Sequence, residues 1–137
     1  MIERLRIREE LNEDQYEKVL EVIKKLQERF STSFSRKTRT GEKISFIDVD
    51  ICDGLNFDVI VGVRQRPFIA VEVEGKKAVY AFGIMKFILE EAGIEYVENC
   101  DGNLAYFELK RIMKARNLLD FLQMGKVLKE KEKIKRG

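Results

Sequence analysis

Four charged side chains in the middle of the chain could perform chemistry together. They lie in two β-branched segments that a short turn separates: Asp58, Glu72, Glu74 and Lys76. Carboxylate oxygens are the ligands that magnesium and manganese prefer in proteins, and an adjacent amine can orient or deprotonate a water molecule. These residue types are therefore compatible with a metal site, with Mg²⁺ or Mn²⁺ as the expected cofactor.

Histidine is absent from all 137 residues, which narrows the possible chemistry. Ser-His-Asp and Cys-His catalysis both need an imidazole base, so neither can operate here. The two cysteines, Cys52 and Cys100, cannot complete a four-ligand zinc site without histidine, and we expect both to be reduced thiols. Carboxylate, lysine, hydroxyl or metal chemistry remains.

Length and charge set limits on organisation and partners. We expect one domain over residues 1–125 and a charged tail over residues 126–137. The net charge is only +2, so contact with nucleic acid requires local basic patches. With no signal peptide and no apolar run long enough to span a bilayer, we expect a cytoplasmic protein without membrane contact. Usage rich in Glu, Lys and Arg is typical of thermophiles.

Hydrophobic periodicity predicts the elements that must position these residues. The predicted elements are, in order, a helix over 13–30, a polar loop over 31–43, strands over 44–51, 57–64 and 68–75, a mostly apolar helix over 77–93, a strand over 94–98 and a helix over about 104–124. The expected fold class is α/β, an αβββαβ core with a mixed four-stranded central sheet flanked by helices, plus a C-terminal helix.

Alternation in the second and third of these strands predicts which side chains share a face. Successive strand residues point to opposite faces, and the valines of both strands must face the same core. With the turn centred near Arg66, Asp58 lies roughly opposite Glu74, at about 5 Å. Glu72 and Lys76 are then diagonal neighbours of Asp58, at about 7–8 Å. We therefore expect one apolar hairpin face and one face with three carboxylates and an amine.

The first of these strands can add carboxylates to the same face. If its apolar residues face the core, Asp48 and Asp50 point to the carboxylate side. The loop over residues 52–56 then places Asp50 across from Asp58, unless a two-residue Asp-Gly turn reverses the parity. Like charges at opposed positions repel, and a divalent cation offsets that repulsion. A solvated polar sheet face, with Lys76 neutralising one acid, is the alternative interpretation.

The segment FDVIVGVRQRPFIAVEVEGKK, residues 57–77, resembles the PD-(D/E)xK restriction-endonuclease-like superfamily, which includes archaeal Holliday-junction resolvases. Members place an Asp early in one strand and an acid-x-Lys signature at the end of the next strand. Asp58 falls on the Asp position, and the predicted order of elements is that of the family core. Phe57 replaces the proline that precedes this Asp in the family.

The resemblance leaves two readings of the acid-x-Lys position. Either Glu72 is the acid and Glu74 replaces the lysine, or Glu74 is the acid and Lys76 is the signature lysine. Both readings imply a Mg²⁺-dependent endonuclease that hydrolyses phosphodiester bonds of duplex or branched DNA. In that role Asp58, Glu72 and Glu74 are the metal ligands, and together with Lys76 they are the catalytic residues.

Basic residues in the polar loop are suited to contact with the DNA backbone. Arg36, Lys37 and Arg39 lie among serines and threonines, and hydroxyl and basic side chains suit phosphate oxygens. Because junction resolvases are dimers, the resemblance also implies a homodimer, and the apolar segments 82–89 and 118–122 are either its interface or plain core. The alternative function is a catalytically inactive member of the same fold that binds nucleic acid or protein. An unrelated α/β interaction domain is a further alternative.

Overall fold

In the computed structural model of the chain, residues 4–31, 33–38, 43–52, 54–75, 77–95, 114–115, 117 and 120–123 are described. The elements in these ranges are, in chain order, β1 (Arg4–Glu10), α1 (Glu13–Arg29), β2 (Phe34–Thr38), β3 (Ile44–Cys52), β4 (Leu55–Val63), β5 (Pro67–Glu74) and α2 (Lys77–Glu91). The fold class is therefore α/β, as the hydrophobic pattern predicts.

The five described strands form one sheet in the order β1-β5-β4-β3-β2, and each neighbouring pair is antiparallel. Both helices pack against one face of this sheet, which we call the inner face. Every second side chain of the central strands is buried there, for example Val49, Val59 and Val71. The opposite face, which we call the outer face, is covered by no helix among the described residues.

The sheet differs from the predicted four-stranded sheet at both edges. β1 and β2 are additional edge strands, and β2 falls within the predicted polar loop. β1 lies beside β5, so the described sheet is antiparallel where a mixed sheet was expected. Of the predicted strand over 94–98, Ile94 and Glu95 lie in no strand and the rest is outside the described residues. Of the predicted last helix, residues 120–123 are helical, and most of the remainder also lies outside those ranges.

A capping box begins α1. The backbone N–H of Gln15 donates to the Asn12 side chain at 2.8 Å, and the Asn12 N–H donates to the Gln15 side chain at 3.0 Å. These bonds satisfy amide groups that the first helical turn leaves without partners. Val19, Ile23 and Leu26 then face the core at helical spacing, which holds α1 against the sheet.

α2 is apolar and buried on nearly all sides. One side faces the sheet and α1, and the Phe121 ring covers another, with its centroid 5.5 Å from that of Phe87 and 6.5 Å from that of Tyr80. Gly83 permits this approach, because a Cβ atom there would lie 2.3 Å from the Phe121 ring. The segment 82–89 is therefore core. Within the described ranges, no helix is long and apolar enough to cross a membrane.

Candidate functional site

The parity predicted for the central hairpin is confirmed. Val59 on β4 and Val71 on β5 are buried on the inner face. Asp58, Glu72 and Glu74 are exposed on the outer face. Burial of each β-branched side chain contributes roughly 1.5–3 kcal/mol, so the inner set determines which side chains remain in water.

The turn of this hairpin lies one residue earlier than predicted. Val63 at the end of β4 pairs with Pro67 at the start of β5. The turn is therefore centred on Gln65 and not near Arg66. The prediction misplaced the turn because it ended the first strand at Arg64 and began the second at Phe68. In the structure β4 ends at Val63 and β5 begins at Pro67.

This difference changes which acids face each other. The β4–β5 pairs run from Val63–Pro67 to Val59–Val71, and Asp58 and Glu72 are the next residues beyond the last pair. Glu74 lies two residues further along β5 than Glu72. The prediction that Asp58 faces Glu74 is therefore wrong, although all three acids share the outer face.

A second aspartate meets Asp58 from the other side. Asp48 on β3 lies directly opposite Asp58, while Asp50 lies opposite Asn56, so the prediction that Asp50 faces Asp58 is also wrong. The register shifts by one residue just beyond Asp50, next to a turn that includes Gly54 with φ +76°. This bulge offsets the short turn and keeps the aspartates of both strands on the outer face. We call the three neighbours Asp48, Asp58 and Glu72 the acidic row.

Glu72 is the member of the acidic row that already has cationic partners. Arg6, opposite Glu72 on β1, donates a hydrogen bond to Glu72 Oε1 at 3.1 Å, and Arg4 forms an ion pair with the same oxygen. The three side chains are about half exposed, so each pair stabilises the fold by no more than about 1 kcal/mol. Two guanidinium groups nevertheless neutralise this carboxylate and oppose cation binding beside it. Of the two readings of the acid-x-Lys signature, this contact disfavours Glu72 as a metal ligand.

A depression of about 550 Å³ lies beside the acidic row. Asp58, Glu72, Glu74 and Lys77 are among its lining residues. Lys77 is the first residue of α2 and is partly buried, so the depression has a lysine as well as carboxylates among its lining residues. The predicted catalytic lysine, Lys76, lies outside the described residues.

The arrangement does not form a closed metal site. Among the described residues, no group of three or more Asp, Glu, Cys or His side chains is placed to hold a metal ion. Asp48 and Asp58 are opposed, and neither has an ion-pair partner within the described ranges. Magnesium is often bound by one or two carboxylates, with water and substrate phosphate oxygens as the other ligands. The aspartate pair therefore suits a hydrated cation site.

The basic residues predicted to contact DNA are described only in part. Arg36 and Lys37 lie in β2, an edge strand paired with β3, and not in a loop. Arg39 lies outside the described residues. Contact of these residues with DNA stays a prediction, and so does the homodimer, whose candidate interface over 82–89 is buried core.

Sequence reasoning missed Arg4, Arg6 and Lys77. Leu5 and Ile7 alternate with charged residues, and this signal could have identified β1 as a strand with both arginines on its polar face. The choice between Lys77 and the preceding lysine depends on where α2 begins, which the apolar pattern of that helix does not define.

No protein-family model matches the chain, and no curated protein is significantly similar to it. The resemblance of the segment 57–77 to the PD-(D/E)xK superfamily therefore stays a prediction from the sequence.

Proposed function

We propose that the chain is a divalent-cation-dependent endonuclease that hydrolyses DNA phosphodiester bonds at the outer face of its sheet. The observation that carries this proposal is the opposition of Asp48 and Asp58 on neighbouring strands. Like charges at opposed positions are unfavourable unless a cation lies between them. Hard carboxylate oxygens suit Mg²⁺ or Mn²⁺ in that place.

Each residue of the site has a role in this proposal. Asp48 and Asp58 would hold the cation, which when bound neutralises charge on the phosphate and lowers the pKa of a coordinated water. Lys77, at the edge of the depression, would attract the phosphate oxygens. Glu74, on the same depression, would orient the attacking water. Glu72 would remain paired with its two arginines and keep β1 aligned with β5.

A cleavage assay tests the endonuclease directly. Supercoiled, branched and single-stranded DNA are incubated with the full chain in Mg²⁺, in Mn²⁺ and in EDTA. We expect metal-dependent cleavage that Asp58→Asn lowers on the order of 100-fold, because that change removes one of two cation ligands. Glu28→Gln is the matched control, since it removes one exposed carboxylate from α1, away from the sheet. Cleavage that persists in EDTA, or an Asp58→Asn variant as active as wild type, would contradict the proposal.

A second candidate function is favoured by the contacts of Glu72. Because Arg4 and Arg6 pair with the Glu72 carboxylate, one of the three acids that the resemblance assigns as metal ligands is already occupied. A catalytically inactive protein of this fold that binds nucleic acid or a protein partner needs no free metal ligand. DNA binding without cleavage in either metal, and without loss in Asp58→Asn, would support this second function over the first.

A further inference from the structure

A second depression, of about 500 Å³, lies at the other end of the outer face, where the β4–β5 hairpin turns. Arg8 and Glu10 line it from the end of β1, and Arg64, Gln65 and Arg66 line it from the turn. Three guanidinium groups and one carboxylate leave a net positive charge in this small volume. We call Arg8, Arg64 and Arg66 the basic end.

Local contacts hold the basic end in place. The Arg8 guanidinium lies 4.2 Å from the centroid of the buried Phe68 ring. A guanidinium stacked on a ring keeps its N–H groups at the edge, where they can donate to a ligand. The Arg66 guanidinium lies 3.6 Å from the Glu10 carboxylate. The backbone N–H of Arg64 donates to the backbone carbonyl of Arg66 at 3.3 Å. The cations are therefore presented by a tight turn and a neighbouring strand.

We propose that the basic end is an anion site that binds phosphate groups. A planar guanidinium donates two parallel hydrogen bonds to a phosphate, which is why arginine clusters recognise phosphate so often. The Gln65 side-chain amide adds a neutral donor at the same depression. The site goes beyond the endonuclease proposal, because it requires neither a metal nor the acidic row.

Spacing along β4 indicates how a long ligand would use this site. Six residue steps separate Asp58 from Arg64, which is about 20 Å along a strand. A duplex covers that distance with about six base pairs. A nucleic acid that lies along the strands would therefore place one stretch of backbone at the basic end and another near the acidic row. A small phosphate compound would contact the basic end alone.

Binding measurements in EDTA separate this site from the cleavage site. The probes are a labelled DNA duplex, followed by fluorescence anisotropy, and inorganic pyrophosphate, followed by calorimetry. The test variant is Arg64→Ala with Arg66→Ala, both at exposed turn positions. The control is Lys18→Ala with Lys24→Ala, which removes two exposed cations from α1. Circular dichroism of both variants checks that each is folded.

We expect the test variant to bind DNA about 10-fold more weakly than wild type. Between about 50 and 200 mM KCl, the slope of log affinity against log salt should fall by about two, one for each lost phosphate contact. The control should change affinity by less than about twofold. Pyrophosphate binding that the test variant loses, without DNA binding by wild type, would assign the site to a small phosphate compound. Equal losses in test and control variants, or no binding of either probe, would overturn the proposal.

Discussion

The acidic row and the basic end share one sheet face but are positioned in different ways. The acidic row lies on regular antiparallel strands, where register alone brings Asp48 opposite Asp58. The basic end lies at a turn, where a ring contact places Arg8 and an ion pair places Arg66. Closely spaced carboxylates on paired strands suit a small cation, whereas separated guanidinium groups at a turn suit a larger anion.

Arginine–glutamate pairs reduce the charge of both regions. Glu72 is paired with Arg6 in one region, and Arg66 is paired with Glu10 in the other. Within the described ranges, the charged groups left without an ion pair in the two regions have opposite sign. The sign of each region is therefore set by its residues that have no ion pair.

The largest expected effect separates two ways of holding a cation in the acidic region. Asp48→Asn should lower the single-turnover rate of DNA cleavage in Mg²⁺ on the order of 100-fold, because it removes a ligand opposed to Asp58. Glu74→Gln, diagonal to Asp58, should lower that rate about 10-fold. The reverse order of the two losses would show that the cation is held across the β4–β5 hairpin and not between β3 and β4.

Packing also differs between the two ends of β4. Gly62, near the basic end, is so close to β3 that an added Cβ would lie 2.6 Å from the Lys43 carbonyl oxygen. Gly62→Ala should therefore lower the free energy of unfolding by about 2 kcal/mol, because backbone atoms cannot rotate away. Asn56→Ala, exposed near the acidic row, should change it by less than about 0.5 kcal/mol. Urea unfolding followed by circular dichroism measures the stability of both variants. Equal stabilities of Gly62→Ala and Asn56→Ala would disprove the close approach of β3 to β4.

A smaller effect tests whether the two arginines that pair with Glu72 weaken cation binding at the acidic row. Arg6→Gln with Arg4→Gln should strengthen Mn²⁺ binding by roughly threefold, because two positive charges next to Glu72 are removed. The control is Arg29→Gln, which removes one positive charge from α1. It should leave the affinity for Mn²⁺ unchanged. Titration of Mn²⁺ by calorimetry gives the comparison. Weaker Mn²⁺ binding in the double variant would mean that the arginines position the ligands and do not compete with the metal.

The smallest expected effect concerns a carboxylate on the other side of the sheet. Burial raises the pKa of Glu9, which alternates with the outward-pointing residues of β1. The folded state therefore binds a proton on the Glu9 carboxylate more tightly than the unfolded state does. The stabilisation that this proton gives the folded state is lost as pH rises through the raised pKa. Glu9→Gln should raise the Tm slightly at pH 7, by roughly 1 °C, and not at acidic pH. A gain that is the same at both pH values would exclude the proton as its cause.

Side-chain parity could be predicted from the sequence, because it depends only on alternation of apolar residues. The buried valines of β4 and β5 determine that Asp58, Glu72 and Glu74 face outward. Their register could not be predicted in the same way. It depends on which residues form the turn, and one residue decides which of the two glutamates Asp58 faces.

The edge strands were harder to predict than the central ones. β1 has only two strongly apolar residues, Leu5 and Ile7, between charged neighbours, so its pattern is short. In β2 the apolar signal is limited to Phe34, and pairing with β3 supplies the rest of its stability. β1 is held mainly by β5, which is distant in sequence, whereas β2 pairs with β3, the next strand along the chain. The ion pairs of Glu72 depend on β1 and could not be inferred before that strand was placed.

Mn²⁺ binding in the absence of DNA tests the central claim most directly, namely that Asp48 and Asp58 together attract a divalent cation. Calorimetry should show saturable binding of Mn²⁺ to wild type and to Glu28→Gln, and loss of that binding in Asp58→Asn. No saturable binding by wild type, or equal binding by Asp58→Asn, would contradict the account.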